Sequence, residues 1–223
     1  RAIELKPDYE KAILNLDILI KQKDLLVNIF EARKSIKIKN SIYPITGLTL
    51  NPFIIHRNVE KNIFKDFYKS KFKELDKIEK KDARYGKGKY SDFNFFKNNS
   101  LIVKNIENDL TNIMKQAVKS DIYIMDSFLN IYMAGSGTTP HTHIRNFDKT
   151  QRLVNQKYSL TYYLSVGDQN CSEPGNLQLH SPSEEIKLSD GMVVIIQADR
   201  EHSAVYNGSK DRIMIGINFY SLI

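Results

Sequence analysis

Four side chains in the second half of the chain have the types and spacing for metal chemistry: His141, His143, His202 and Arg212. His141-x-His143 lies in a stretch that reads as a strand, where period-two alternation sends both imidazoles to one side. His202 opens another such stretch, far enough along the chain for the two strands to face each other across a barrel. Two neighbouring ligands and a third from a facing strand suit a facial metal site, which leaves coordination positions open for substrate or oxygen. Arg212 stands in Asp211-Arg212-Ile213-Met214-Ile215-Gly216-Ile217-Asn218-Phe219, a run apolar enough to be buried. A buried guanidinium needs an anion, and its planar fork fits a carboxylate. The anion is either an Asp or Glu of the protein or a dicarboxylic cosubstrate that chelates the metal at one end and meets Arg212 at the other. The second accounts for more of the pattern. His180 reads as a pocket-wall or surface residue, His56 as structural, Asp109 and Glu107 as surface charges, and Cys171 as a thiol without nucleophile machinery.

Strands must position these residues. From Asp121 onward, short β-branched and aromatic segments alternate with Gly, Pro, Asn and Asp, and the pattern predicts strands over 122–133, 140–144, 158–166, 176–180, 185–188, 192–197, 202–206 and 212–220. Eight short strands with turns such as Pro174-Gly175-Asn176 make a sandwich, barrel or jelly roll, with the preceding helices on one outer face. The domain boundaries follow: 1–39 helical, and 40–223 the main domain, in which 40–120 supports a β core over 121–223. In the first segment Pro7 ends one helix, Asp8 caps the next, and Ala12, Leu16, Leu19 and Ile20 recur at helical spacing. The string Ala2-Ile3-Glu4-Leu5-Lys6-Pro7 followed by Asn15-Leu16 resembles the junction between tetratricopeptide repeats, so this segment reads as the tail of a repeat array. Residues 40–56 read as a short strand with turns, 57–82 as a long charged helix and 101–119 as an amphipathic helix. The loop Arg84-Tyr85-Gly86-Lys87-Gly88-Lys89-Tyr90 is either a lid over an anionic substrate or a solvated connection.

The 223 residues carry a net charge of +7, unevenly placed: residues 1–120 hold +10 and residues 121–223 hold −3. The excess is the lysine-coated face of helices, without base-stacking aromatics or a recognisable module, which argues against a nucleic-acid partner. No apolar run approaches the ~20 residues of a membrane span. One cysteine excludes an internal disulfide and a Cys-based zinc site and points to a reducing, cytoplasmic compartment. The start at Arg1, inside a helical pattern, reads as that of a piece of a longer chain.

Over residues 120–223 the sequence resembles the Fe(II)- and 2-oxoglutarate-dependent dioxygenases, in their prolyl-hydroxylase-like branch. The likeness rests on Asn130-Ile131-Tyr132, Pro140-His141-Thr142-His143, Tyr158-Ser159-Leu160-Thr161-Tyr162-Tyr163-Leu164-Ser165, Pro174-Gly175-Asn176-Leu177, Asp190-Gly191-Met192, Ala198-Asp199-Arg200-Glu201-His202 and the Arg212 strand. It implies an α+β fold with a double-stranded β-helix (jelly-roll) core and iron at His141 and His202. It further implies that Arg212 holds the distal carboxylate of 2-oxoglutarate, assisted by Tyr163 (Tyr162 if the register slips), and that Tyr132 lines the pocket. The implied reaction hydroxylates a peptide, protein or small-molecule substrate while 2-oxoglutarate is decarboxylated to succinate, with ascorbate as an accessory reductant. The family pattern is His-x-Asp/Glu, and here His143 stands at the carboxylate position. The second ligand is then His143, giving three imidazoles, or Asp148. Two other readings stay open: a catalytically silent β-helix and repeat module that binds a protein partner, marked by His143 facing away from the other histidines, and a three-histidine metalloenzyme of cupin type, marked by Arg212 pairing with a protein carboxylate.

Overall fold

The computed structural model describes residues 10–35, 51–58, 68–69, 89–90 and 93–223. The start of the repeat-junction motif, the stretch 40–50, nearly all of the charged helix over 57–82 and most of the basic loop lie outside them. The order is α1 (Glu10–Ser35), β1 (Phe53–His56), β2 (Lys89–Tyr90), α2 (Leu101–Val118), β3 (Ile122–Tyr132), β4 (Ser136–His141), α3 (Asn146–Thr150), β5 (Lys157–Ser165), β6 (Leu177–Leu179), β7 (Glu184–Ile186), β8 (Met192–Gln197), β9 (His202–Tyr206) and β10 (Arg212–Ser221). The strands form two antiparallel sheets, one ordered β1-β8-β5-β10-β3-β2 and the other β4-β9-β6-β7. This is a double-stranded β-helix with helices on its outside, the expected fold class.

Every residue of β10 is buried because both faces of the large sheet are covered. Ile213, Ile215 and Ile217 point outward and pack with Val103, Ile106, Leu110 and Met114 of α2, whose apolar residues recur every three or four positions. Lys119 ends α2 in the left-handed conformation, its N–H bonded to the Lys115 carbonyl. On the inner face, Met214 joins Tyr132, Tyr163, Leu177, Val194 and Tyr206 in a second core between the sheets. A third cluster seats α1, with Leu25 and Ile29 against Met125, Leu153, Tyr220 and Leu222.

The largest departure from the predicted strands is at β4. It begins at Ser136 and ends at His141, whereas alternation predicts 140–144. The β-branched Thr138 and Thr139 extend the pairing backward, and Pro140, which has no N–H to give the ladder, lies inside a bulge where Thr138 opposes Ala204 and His141 opposes His202. His143 is therefore beyond the strand.

Candidate metal and cosubstrate site

The bulge delivers His141 opposite His202 at the end of the smaller sheet, with ring centroids 4.5 Å apart. His143 joins them from the following segment, which is pinned where its N–H donates to the Ala198 carbonyl (2.8 Å). The His143 ring stacks on that of His202 at 5.0 Å and lies 5.1 Å from that of His141, and a nitrogen from each of the three falls within 4.8 Å of the others.

The tautomers suit a cation. His202 Nδ1 lies 2.8 Å from the Arg200 carbonyl and His141 Nδ1 lies 2.7 Å from the Thr139 carbonyl. A carbonyl only accepts, so both Nδ1 atoms carry the proton, which leaves Nε2 of each ring as the nitrogen that can bind a metal. The Nε2 atoms of His143 and His202 are 3.2 Å apart. Two lone pairs at that separation repel unless a proton or metal lies against them. Burial, then its histidine neighbours, holds His143 well below the usual imidazole range; burial lowers His202 to about 4. Neutral rings are the form that binds metal.

Arg212 begins β10, 1% exposed, directly across from Tyr132 of β3. Its guanidinium lies 5.1 Å from the Tyr163 ring centroid and 5.6 Å from that of Tyr132, and its Nη1 donates to the Gly175 carbonyl. Gly175 has a positive φ of 81°, and a Cβ there would run into Arg212 Nη1, so only glycine brings a carbonyl so close. Arg212 Nε has no partner, and among the described residues no carboxylate pairs with Arg212. Burial pushes the Tyr163 phenol up, although Arg212 opposes the shift, which keeps its hydroxyl a donor.

His141, His143, His202, Arg212, Tyr132 and Tyr163 all line one cleft. Asn130, two residues before Tyr132 on the same face of β3, lines it too; it is 5% exposed and its Oδ1 lacks a hydrogen-bond partner. A cationic fork and an amide with uncommitted polar atoms at one part of a cleft, and three clustered imidazoles at another, fit a metal and an anionic polar ligand together. Gly175 and Asn130 stand in two of the motifs that carry the resemblance, but neither has a role that the sequence alone assigns. The positive-φ demand on Gly175 appears only once the Arg212 side chain is in place, whereas Asn130, polar in the predominantly apolar strand Ile122–Tyr132, was a visible signal.

The other expectations separate cleanly. Tyr163 faces the cleft; Tyr162, one residue away, faces outward and takes a hydrogen bond from Arg57 Nη1 (3.0 Å). Asp148 is outside the histidine cluster. Fully buried in α3, it accepts from Lys157 Nζ (2.7 Å), the Arg145 N–H (2.6 Å) and the Tyr220 hydroxyl, so its oxygens are already committed. It locks the turn that follows His143. His180 lies outside the cleft, bonded to Ser203 Oγ (2.9 Å). His56 bonds Ser189 Oγ, Asp109 pairs with Arg57, Glu107 with Lys104, and the Cys171 thiol meets the Asp168 carbonyl.

No protein-family model matches the sequence, and no curated protein matches it. Solved structures do. A viral collagen prolyl hydroxylase from Paramecium Bursaria Chlorella virus-1, in complex with 2-oxoglutarate, superposes with a TM-score of 0.58 at 12% identity, over 76% of this chain and 96% of its own. A Trichoplax adhaerens prolyl hydroxylase, in complex with a hypoxia inducible factor oxygen degradation domain peptide fragment, gives 0.54 at 12% identity over 91% of both chains. HygX from Streptomyces hygroscopicus, with nickel and 2-oxoglutarate bound, gives 0.56 at 10% identity over 79% and 83%. What this chain shares with the three is the fold, the facing antiparallel sheets of a double-stranded β-helix.

Proposed function

We propose that the protein is an Fe(II)- and 2-oxoglutarate-dependent oxygenase that hydroxylates a peptide or protein substrate. One observation carries the reading: three clustered imidazoles and a buried arginine without a carboxylate partner among the described residues line the same cleft. His141, His143 and His202 would hold the metal, and Arg212, with Tyr163, Tyr132 and Asn130 beside it, would hold 2-oxoglutarate. With O₂ as the oxidant, one oxygen atom going to succinate and the other to the substrate, the bound pair would supply oxidative decarboxylation of 2-oxoglutarate to succinate and CO₂ coupled to hydroxylation of the substrate. The chain's own part is to orient and to exclude water. Thr139 and Arg200 fix the ring tautomers through their carbonyls, Gly175 aims the guanidinium, and Phe128, Leu177 and Met214 line the cleft with apolar surface.

The structural neighbours support this chemistry, two being solved with 2-oxoglutarate and one with nickel. A peptide target is supported by the neighbour solved with a peptide fragment; a small molecule is the second reading. The repeat-junction motif at 2–16 belongs with the first, as the end of an array that recruits a protein target. His143 faces the other histidines, contrary to the silent-module alternative, and Arg212 has no carboxylate partner among the described residues, contrary to the cupin-type alternative.

The test is calorimetric titration of the purified chain with Fe(II) under argon and then with 2-oxoglutarate, followed by succinate measurement with iron and ascorbate in air. Both ligands are expected to bind, 2-oxoglutarate more tightly once the metal is present. Failure to bind either ligand refutes the assignment.

A further inference from the structure

Helix α1 is apolar on two opposite sides, and the barrel uses only one. Leu25 and Ile29 are buried against the third core cluster, with Ala32 packed beside them. At 100° per residue the opposite side carries Ile13, Leu16, Ile20, Lys23, Val27 and Phe30, at alternating spacings of three and four, flanked by Leu19 and Leu26. This is the spacing of a helix-packing seam. Its seven large apolar residues are between 37% and 63% exposed. A helix apolar on both sides is ordinarily covered on both.

We propose that a second copy of the chain covers this seam, the two α1 helices packing antiparallel across a two-fold axis. Seven side chains about half exposed present roughly 650 Å² per copy, above the roughly 300–600 Å² of the largest apolar patch on a typical monomer. Two such faces together offer up to about 1,300 Å², at the lower end of the range of a specific, stable interface. A two-fold contact requires a self-complementary face, and an apolar stripe along one helix is its own complement. Lys23, the single polar residue of the seam, sets the direction. Parallel in-register helices would set the two ammonium groups at one level, whereas antiparallel helices centred on the seam offset them by about 4.5 Å and set each against the partner's apolar position 20. The catalytic cleft is not part of the interface, so the proposal stands apart from the assigned chemistry.

Sedimentation velocity and light scattering on the full chain, from about 1 to about 100 µM, test it. The expected mass is twice the monomer's 25.8 kDa. Leu19→Glu combined with Phe30→Glu is expected to weaken association at least about 100-fold, and Lys23→Leu, which completes the seam, to tighten it about tenfold. Leu14→Glu, exposed but off the seam, leaves the mass unchanged and reports on the fold together with circular dichroism. A chain monomeric throughout, or a dimer indifferent to Leu19→Glu/Phe30→Glu, overturns the proposal; the first result assigns the seam to a different helical partner.

Discussion

Replacing Arg212 with methionine should move ligand affinity and stability in opposite directions. A structural arginine paired with a buried carboxylate costs about 3–5 kcal/mol when removed, because the partner charge is left uncompensated. Arg212 has no such partner among the described residues; its guanidinium meets the Gly175 carbonyl, the Tyr163 hydroxyl and two ring faces, and its Nε is unsatisfied. Without 2-oxoglutarate it is a buried, incompletely hydrogen-bonded charge, and an apolar side chain of similar length removes that cost while leaving the Gly175 carbonyl one donor short. The balance predicts that ligand-free Arg212→Met is as stable as the parent or more stable by up to about 2 kcal/mol in urea denaturation. Binding should fail. Losing one partner of a desolvated, hydrogen-bonded charge pair costs about 2–5 kcal/mol, which is about 30-fold to several-thousand-fold in the 2-oxoglutarate Kd. The assay is calorimetry with Mn(II) standing in for iron, paired with urea melts on the same preparations. A variant that loses more than about 2 kcal/mol of stability while binding 2-oxoglutarate within about threefold of the parent would refute the cosubstrate role and show that Arg212 serves the fold.

Other outcomes follow from the same geometry. His143→Ala should weaken metal binding at least about 100-fold by competition titration, whereas Asp148→Asn should change it by less than about threefold yet cost about 3 kcal/mol of stability, because it strands the buried Lys157. The apo protein should be acid-labile: the folded pKa of His202 lies below its unfolded value, so the unfolded chain takes up the proton first, and stability is lost as pH falls from about 6.5 to about 4. The shift corresponds to about 3 kcal/mol, and urea melts of His202→Gln should lack that part of the slope; an unchanged slope contradicts the assignment. Gly175→Ala should impair 2-oxoglutarate binding through both the positive φ and the displaced guanidinium, while metal binding holds.

The sequence by itself determined the fold class and named most of the polar groups facing the cleft, Asn130 excepted. Strand alternation is a local property, so β8 and β9 have their predicted bounds, and the inward phase of β10 puts Arg212, Met214 and Gly216 on one face. The spacing of His141, His143, His202 and Arg212 was legible because each occupies a strand end or the segment just past one. Tertiary structure decided the rest. Period-two alternation placed His143 beside His141 for the wrong reason: the strand stops at His141, and the Ala198 carbonyl, 55 positions along the chain, holds His143 in place. The commitment of Asp148 to Lys157 and Tyr220, the absence of such a commitment for Arg212 among the described residues, and the side of α1 left open are likewise facts of packing. Spacing along a chain names the groups that can meet, but burial and the competition for hydrogen-bond partners choose among them.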